Sequence, residues 1–134
     1  MAGYSGTPLA AKLGIKADAQ LCVVGAPDDY LELIGPLPEG AKFTRRLSKS
    51  TDLVHIFASR RTELARALGS YRATLKPTAV VWVSWPKKSA QVATDVTEDS
   101  IRQIALPLGF VDIKVCAVTD IWSGLKLVVR RQLR

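Results

Sequence analysis

One stretch carries residue types that could do chemistry together. Trp85-Pro86-Lys87-Lys88-Ser89 follows the apolar run Ala79–Val83, and Trp122-Ser123 comes late in the chain. Lysines supply charge and donors, tryptophans supply stacking faces, and serines supply hydroxyls. That set suits an anionic, planar ligand. Arg60-Arg61 adds two cations where a helical segment opens, and free N–H groups at a helix start also attract anions. Two arginines oppose the helix dipole there, which hints at a negative partner. The candidate ligand-binding residues are therefore Lys87, Lys88, Ser89, Trp85, Trp122, Arg60, Arg61 and Ser123. The plainer alternative is a structural loop with exposed lysines and half-buried tryptophans.

No catalytic set accompanies them. His55 is the single histidine and sits mid-strand between Val54 and Ile56, so it reads as a core residue rather than a general base. Ser84, Ser89 and Ser123 lack a base partner and any G-x-S-x-G turn. Asp28-Asp29, Asp95, Glu98 and Asp99 read most simply as helix caps. One histidine and two dispersed cysteines make a metal site improbable, and none is expected.

The elements that must position these residues follow from periodicity. Thr7, Pro8 and Gly14 bound a short leading helix over 7–14. Leu21–Val24 is a buried strand stopped by Gly25-Ala26-Pro27. Asp28 caps a short helix that ends at Gly35-Pro36. A weaker strand covers about 41–47. Leu53–Phe57 is almost continuously apolar, as in a strand covered on both faces. Leu64, Leu68, Tyr71 and Leu75 share one face of the next helix. Val80–Trp85 is the fourth strand. A helix starting at Asp95 or Thr97 buries Ile101, Ile104, Ala105 and Leu108, and Gly109 ends it. Val111, Ile113, Val115 and Ala117, then Leu125, Leu127 and Val129, alternate in an antiparallel hairpin turning at Thr119-Asp120-Ile121.

Strands alternating with helices imply an α/β, three-layer, Rossmann-like fold. The expected sheet is mostly parallel, about six strands, with a C-terminal antiparallel hairpin. Residues 1–134 are expected to form one such domain. Right-handed crossovers bring four segments to one rim: Gly25–Tyr30, Ser59–Arg61, Trp85–Asp95 and Asp120–Gly124.

The chain has 134 residues, 48% of them hydrophobic and 23% charged, which is ordinary globular composition. No apolar run approaches the roughly 18 residues of a membrane span. The N-terminal residues lack the basic and apolar regions of a signal peptide. Cys22 and Cys116 lie in apolar runs and read as reduced core thiols. A cytoplasmic protein without membrane contact is expected. The net charge is +7, and residues 68–134 hold 10 basic against 5 acidic residues. Solvated faces explain that excess, and so does attraction to phosphates of a nucleotide, a nucleic acid or an acidic partner.

The ending Leu108-Gly109-Phe110-Val111 to Leu125-Lys126-Leu127-Val128-Val129-Arg130 resembles that of the class I S-adenosylmethionine-dependent methyltransferase fold. That family has a glycine-rich loop with an acidic lead after its first strand, and an acid after its second strand for the ribose hydroxyls. Here the loop is Val24-Gly25-Ala26-Pro27-Asp28-Asp29, and Thr44-Arg45-Arg46-Leu47-Ser48 follows the second strand. A βα unit is also missing between the second and third strands. The departures imply a shortened relative, and no cofactor is expected.

A second likeness covers nearly the whole chain. Gly3-Tyr4-Ser5-Gly6-Thr7-Pro8-Leu9, Val83-Ser84-Trp85-Pro86-Lys87-Lys88, Thr94-Asp95-Val96-Thr97-Glu98-Asp99 and Trp122-Ser123-Gly124-Leu125-Lys126 are similar to strings of a bacterial family catalogued as a domain of unknown function. That resemblance implies a bacterial cytoplasmic protein and brings no activity. The expectation is a non-catalytic domain, not an enzyme, that binds an anionic small molecule or partner at the carboxyl edge of its sheet. The alternatives are a transferase with a non-standard cofactor loop and a weak nucleic-acid binder.

Overall fold

Leu53-Val54-His55-Ile56-Phe57 forms strand β3, and all five residues are buried. Such a strand must lie inside a sheet covered on both sides. Strands β1 (Gln20–Val24) and β4 (Val80–Pro86) flank it, both parallel to it. Strand β2 (Lys42–Phe43) extends the sheet beyond β1. On the other side, β6 (Trp122–Val129) pairs antiparallel with β4, and β5 (Phe110–Ala117) forms the outer edge. The order is β2-β1-β3-β4-β6-β5. This is the expected mostly parallel six-stranded sheet with an antiparallel C-terminal pair. The computed structural model describes residues 7–134, so the string Gly3–Gly6 and the N-terminal residues before it lie outside the described residues.

Each sheet face carries its own core. Helices α3 (Arg61–Thr74) and α4 (Glu98–Leu108) cover Val54, Ile56, Val81, Val83, Leu125 and Leu127. Leu64, Leu68, Tyr71 and Leu75 are all buried there, as their spacing predicts. The ends of α4 are specified locally. Ser100 N–H donates to Thr97 Oγ1 at 3.1 Å, and Thr97 N–H donates to Ser100 Oγ at 2.8 Å. The opposite face holds Leu21, Leu53, Phe57 and Trp82 under α1 (Leu9–Lys12) and α2 (Tyr30–Ile34). Trp82 is fully buried, and its Nε1–H donates to the Leu13 carbonyl at 2.9 Å. Gly124 makes room for that ring, since a Cβ there would lie 3.3 Å from Trp82 Cε3 and 3.0 Å from Val118 Cγ2.

Several elements differ from expectation. Helix α1 is a single turn, and neither Thr7 nor Pro8 makes a side-chain cap. Asp29, not Asp28, precedes α2, again without a side-chain cap bond. Strand β2 has two residues rather than seven. Thr44 N–H still donates to the Leu21 carbonyl of β1 at 2.7 Å, and its Oγ1 also donates to the Arg46 carbonyl at 3.2 Å, a local turn at which the pairing stops. In β5 the register shifts between Asp112 and Lys114, a bulge that breaks the alternation and leaves Ile113 and Val115 exposed. Both cysteines are free, and burial raises both thiol pKa values. Among the described residues no helix is long and apolar enough to cross a membrane.

Candidate functional site

The strand order defines where to look. From β1 the chain goes outward to β2, then returns to form β3 on the other side of β1. The crevice beyond the carboxyl ends of β1 and β3 is the switch point at which α/β sheets bind ligands. Gly25 leaves β1 there with φ +70°, and a Cβ on it would lie 2.8 Å from the Phe57 carbonyl oxygen. Only glycine lets β1 and β3 approach this closely and turn this way. Gly25 is itself exposed, so its backbone faces the rim.

The four expected segments do meet on this rim, but in two pairs. Ser59 accepts from Asp95 N–H at 3.2 Å and from Thr94 Oγ1 at 2.8 Å. A groove of about 250 Å³ lies there, lined by Ser59, Arg60, Ala93, Thr94 and Asp95. The second pair joins Gly25–Tyr30 to the β5–β6 turn. Its groove of about 260 Å³ is lined by Pro27, Asp29, Leu33, Thr119, Asp120, Ile121 and Trp122. Lys87 N–H donates to the Ile121 carbonyl at 2.7 Å, which brings the lysine loop beside this turn. Lys88 and Ser89 sit exposed in a 3-10 turn over Lys88–Ala90.

The tryptophans do not converge. Trp85 pairs in register with Ser123 and is buried under α3 and α4. Trp122 pairs with Pro86, one residue along, and therefore points to the opposite face. There it meets Phe57 edge-on, with centroids 5.0 Å apart. One ligand cannot stack on both rings, which corrects the single platform expected from their types. The start of α3 needs a second correction. Arg61 N–H already donates to Asp95 Oδ1 at 2.7 Å, so the chain supplies its own anion there. Arg61 Nη2 donates to Gln103 Oε1 at 3.1 Å, while Arg60 stays exposed beside the groove.

The sequence gives no sign of one polar chain beneath the rim. Tyr30 Oη lies 2.8 Å from His55 Nδ1, and His55 Nε2 lies 2.7 Å from Ser84 Oγ. Phe57 stacks on the imidazole at 4.3 Å. Ser84 thus has the base partner that its sequence context denied it. Both residues are 0% exposed, so neither can touch a substrate. Desolvation pushes the His55 pKa down to about 3, and the ring is neutral at ordinary pH. Burial raises the Tyr30 phenol well above its usual value. His55 is a satisfied core residue. Among the described residues no group of three or more metal-ligating side chains comes together.

The fold is similar to that of solved methyltransferases. A SAM-dependent methyltransferase from Aquifex aeolicus superposes with a TM-score of 0.64 at 14% identity, over 90% of this chain and 87% of that one. The precorrin-6y C5,15-methyltransferase of Geobacter metallireducens gives 0.61 at 11% identity, over 91% and 86%. The magnesium protoporphyrin IX methyltransferase of Synechocystis, solved with bound SAM, gives 0.58 at 13% identity, over 91% and 74%. Neither a protein-family model nor a curated protein sequence matches this chain. The fold is thus the Rossmann-like fold of SAM-dependent methyltransferases. That likeness overturns three expectations: a non-catalytic binder, a protein that is not an enzyme, and the absence of a cofactor. Enzymes share this architecture over most of the chain, and one of them holds SAM.

Proposed function

We propose that this protein is a methyltransferase that binds S-adenosylmethionine at the carboxyl ends of β1 and β3. The observation that carries the reading is the switch point itself. It lies at an exposed Gly25 held at φ +70°, in a sheet whose order and antiparallel ending are similar to those of methyltransferases. The residues present fit such a cofactor in part. Gly25 offers backbone without a side chain in the way. Ser59 offers a hydroxyl, and Asp28 and Asp29 offer exposed carboxylates beside the crevice. Arg45 and Arg46 stand where the second strand would otherwise present an acid, so in this reading the ribose hydroxyls fall to Asp28 or Asp29. When bound, the cofactor supplies an electrophilic methyl group on sulfur. The chain supplies the crevice that orients it and the core that keeps water from below.

The acceptor in this reading is an anionic small molecule. Lys87, Lys88 and Arg60 supply its charge partners, and Trp122 walls one groove. Two unpaired thiols in a chain of +7 charge fit a reducing, cytoplasmic setting. The string resemblance to a bacterial family of unknown activity belongs to the same reading. Titration calorimetry with S-adenosylmethionine and S-adenosylhomocysteine tests it. Saturable binding of both at micromolar concentrations is expected. A folded protein that takes up neither at roughly millimolar ligand overturns the reading.

A further inference from the structure

We propose that the edge of the sheet opposite the crevice binds the phosphate backbone of a nucleic acid through Arg72, Arg130, Arg131 and Arg134. The topology gathers these residues from distant parts of the chain. Helices α3 and α4 both end at this edge, β5 starts there, and β6 finishes there, with Phe110 opposite Val129. Gly109 marks the centre. Its carbonyl accepts from Arg130 N–H at 2.8 Å. A Cβ on Gly109 would lie 3.1 Å from Arg72 Nε and 2.8 Å from Leu133 Cδ1. The helix-ending glycine is thus covered by Arg72 from α3 and by the terminal turn Arg131–Leu133.

Among the described residues no ion pair neutralises the charge there. The ion pairs among the described residues join Lys76 to Asp52, and Arg102 to Glu98, Asp99 and Asp112. None of the four arginines takes part. Arg72 Nε is buried without a hydrogen-bond partner. Arg134 Nε donates to the Val129 carbonyl at 2.7 Å, which fixes the terminal guanidinium and leaves its other donors free. Helix dipoles account for one of these cations, since Arg72 lies in the last turn of α3. Arg130, Arg131 and Arg134 belong to neither helix and are exposed.

The chemistry of the patch favours phosphate. Guanidinium groups meet phosphate oxygens through paired N–H donors. Protein interfaces centre on buried apolar or aromatic anchors. The exposed large apolar residues nearest Gly109 in the chain are the aliphatic Leu106 and Leu133, and neither carries a ring. Without a ring to stack on bases, recognition rests on the backbone and is independent of sequence.

The test is fluorescence anisotropy of the full chain with a labelled mixed-sequence RNA of roughly 20 nucleotides across a salt series. Four phosphate contacts predict a log–log salt slope near −3, that is about 0.7 per contact. The variant R130E/R131E/R134E should stay folded, bind about tenfold or more weakly at low salt, and lose most of that slope. The variant R45E/R46E/K49E makes the same charge change elsewhere and should retain most of the affinity. No binding by the parent protein, an undiminished affinity in R130E/R131E/R134E, or equal losses in both variants overturns the proposal. Binding of polyglutamate in preference to RNA would reassign the patch to an acidic protein and overturns it as well. The readout does not involve the crevice, so it stands or falls independently of methyl transfer.

Discussion

Asp95, in the loop after β4, accepts the backbone N–H of Arg61, the first residue of α3, at 2.7 Å. The cap comes from 34 residues away in sequence rather than from the residue before the helix. It closes the groove at Ser59 and ties two βα connections together on the rim. Asp95→Ala should cost about 1 kcal/mol, the usual loss of a capping carboxylate. Asp95→Asn should recover much of it. Urea unfolding of both variants checks this, and an Asp95→Ala protein as stable as the parent contradicts the cap.

Gly25 is held by two constraints at once, a positive φ and the Phe57 carbonyl 2.8 Å from where a Cβ would stand. Gly25→Ala should therefore destabilise by about 1–3 kcal/mol. It should also weaken S-adenosylhomocysteine binding, because the loop must shift. Thermal unfolding and calorimetry on the same sample separate the two effects. Unchanged affinity in a destabilised variant would place the cofactor away from this turn.

His55 makes stability depend on pH. Its folded pKa, about 3, lies below the ordinary 6.5 of an unfolded histidine. The unfolded chain therefore takes up the proton first as pH falls. The stability is complete above about 6.5 and is lost progressively between 6.5 and 3. This one group can remove up to about 5 kcal/mol over that window. His55→Gln should be less stable at neutral pH by about 1–3 kcal/mol, since Tyr30 and Ser84 lose a matched partner. Its stability should fall less steeply with acid. An acid slope equal to the parent's would show that other groups dominate.

Lys87 and Lys88 lie on the rim with little structural role visible in their contacts. K87A/K88A should change stability by less than about 0.5 kcal/mol. If the acceptor is anionic, its binding should weaken by about 1–3 kcal/mol. Competition by phosphate and sulfate in the parent, absent in the double variant, is the accompanying observation. Competition of equal strength in both proteins would remove the lysines from the site.

Local periodicity was enough to place the main elements. β3 runs over Leu53–Phe57 as expected, because a run of four apolar residues around one histidine can be buried on both faces only inside a covered sheet. The stripe of α3 and the closing hairpin were legible for the same reason, and the start of α4 was narrowed to Asp95 or Thr97, of which Thr97 is the cap. So was the rim, since right-handed crossovers leave little choice about which loops share an edge. Which side chains meet depends on strand register and packing. Trp85 and Trp122 looked alike in sequence, but the β4–β6 register sets them one residue apart and so on opposite faces. Ser84 found His55 through β3–β4 pairing, and Asp95 found Arg61 through the packing of two connections. The four arginines around Gly109 gathered because α3, α4 and β6 all finish at one edge. Spacing along a chain reports only a residue's own element. Register and crossover geometry decide its neighbours, and chemistry depends on the neighbours.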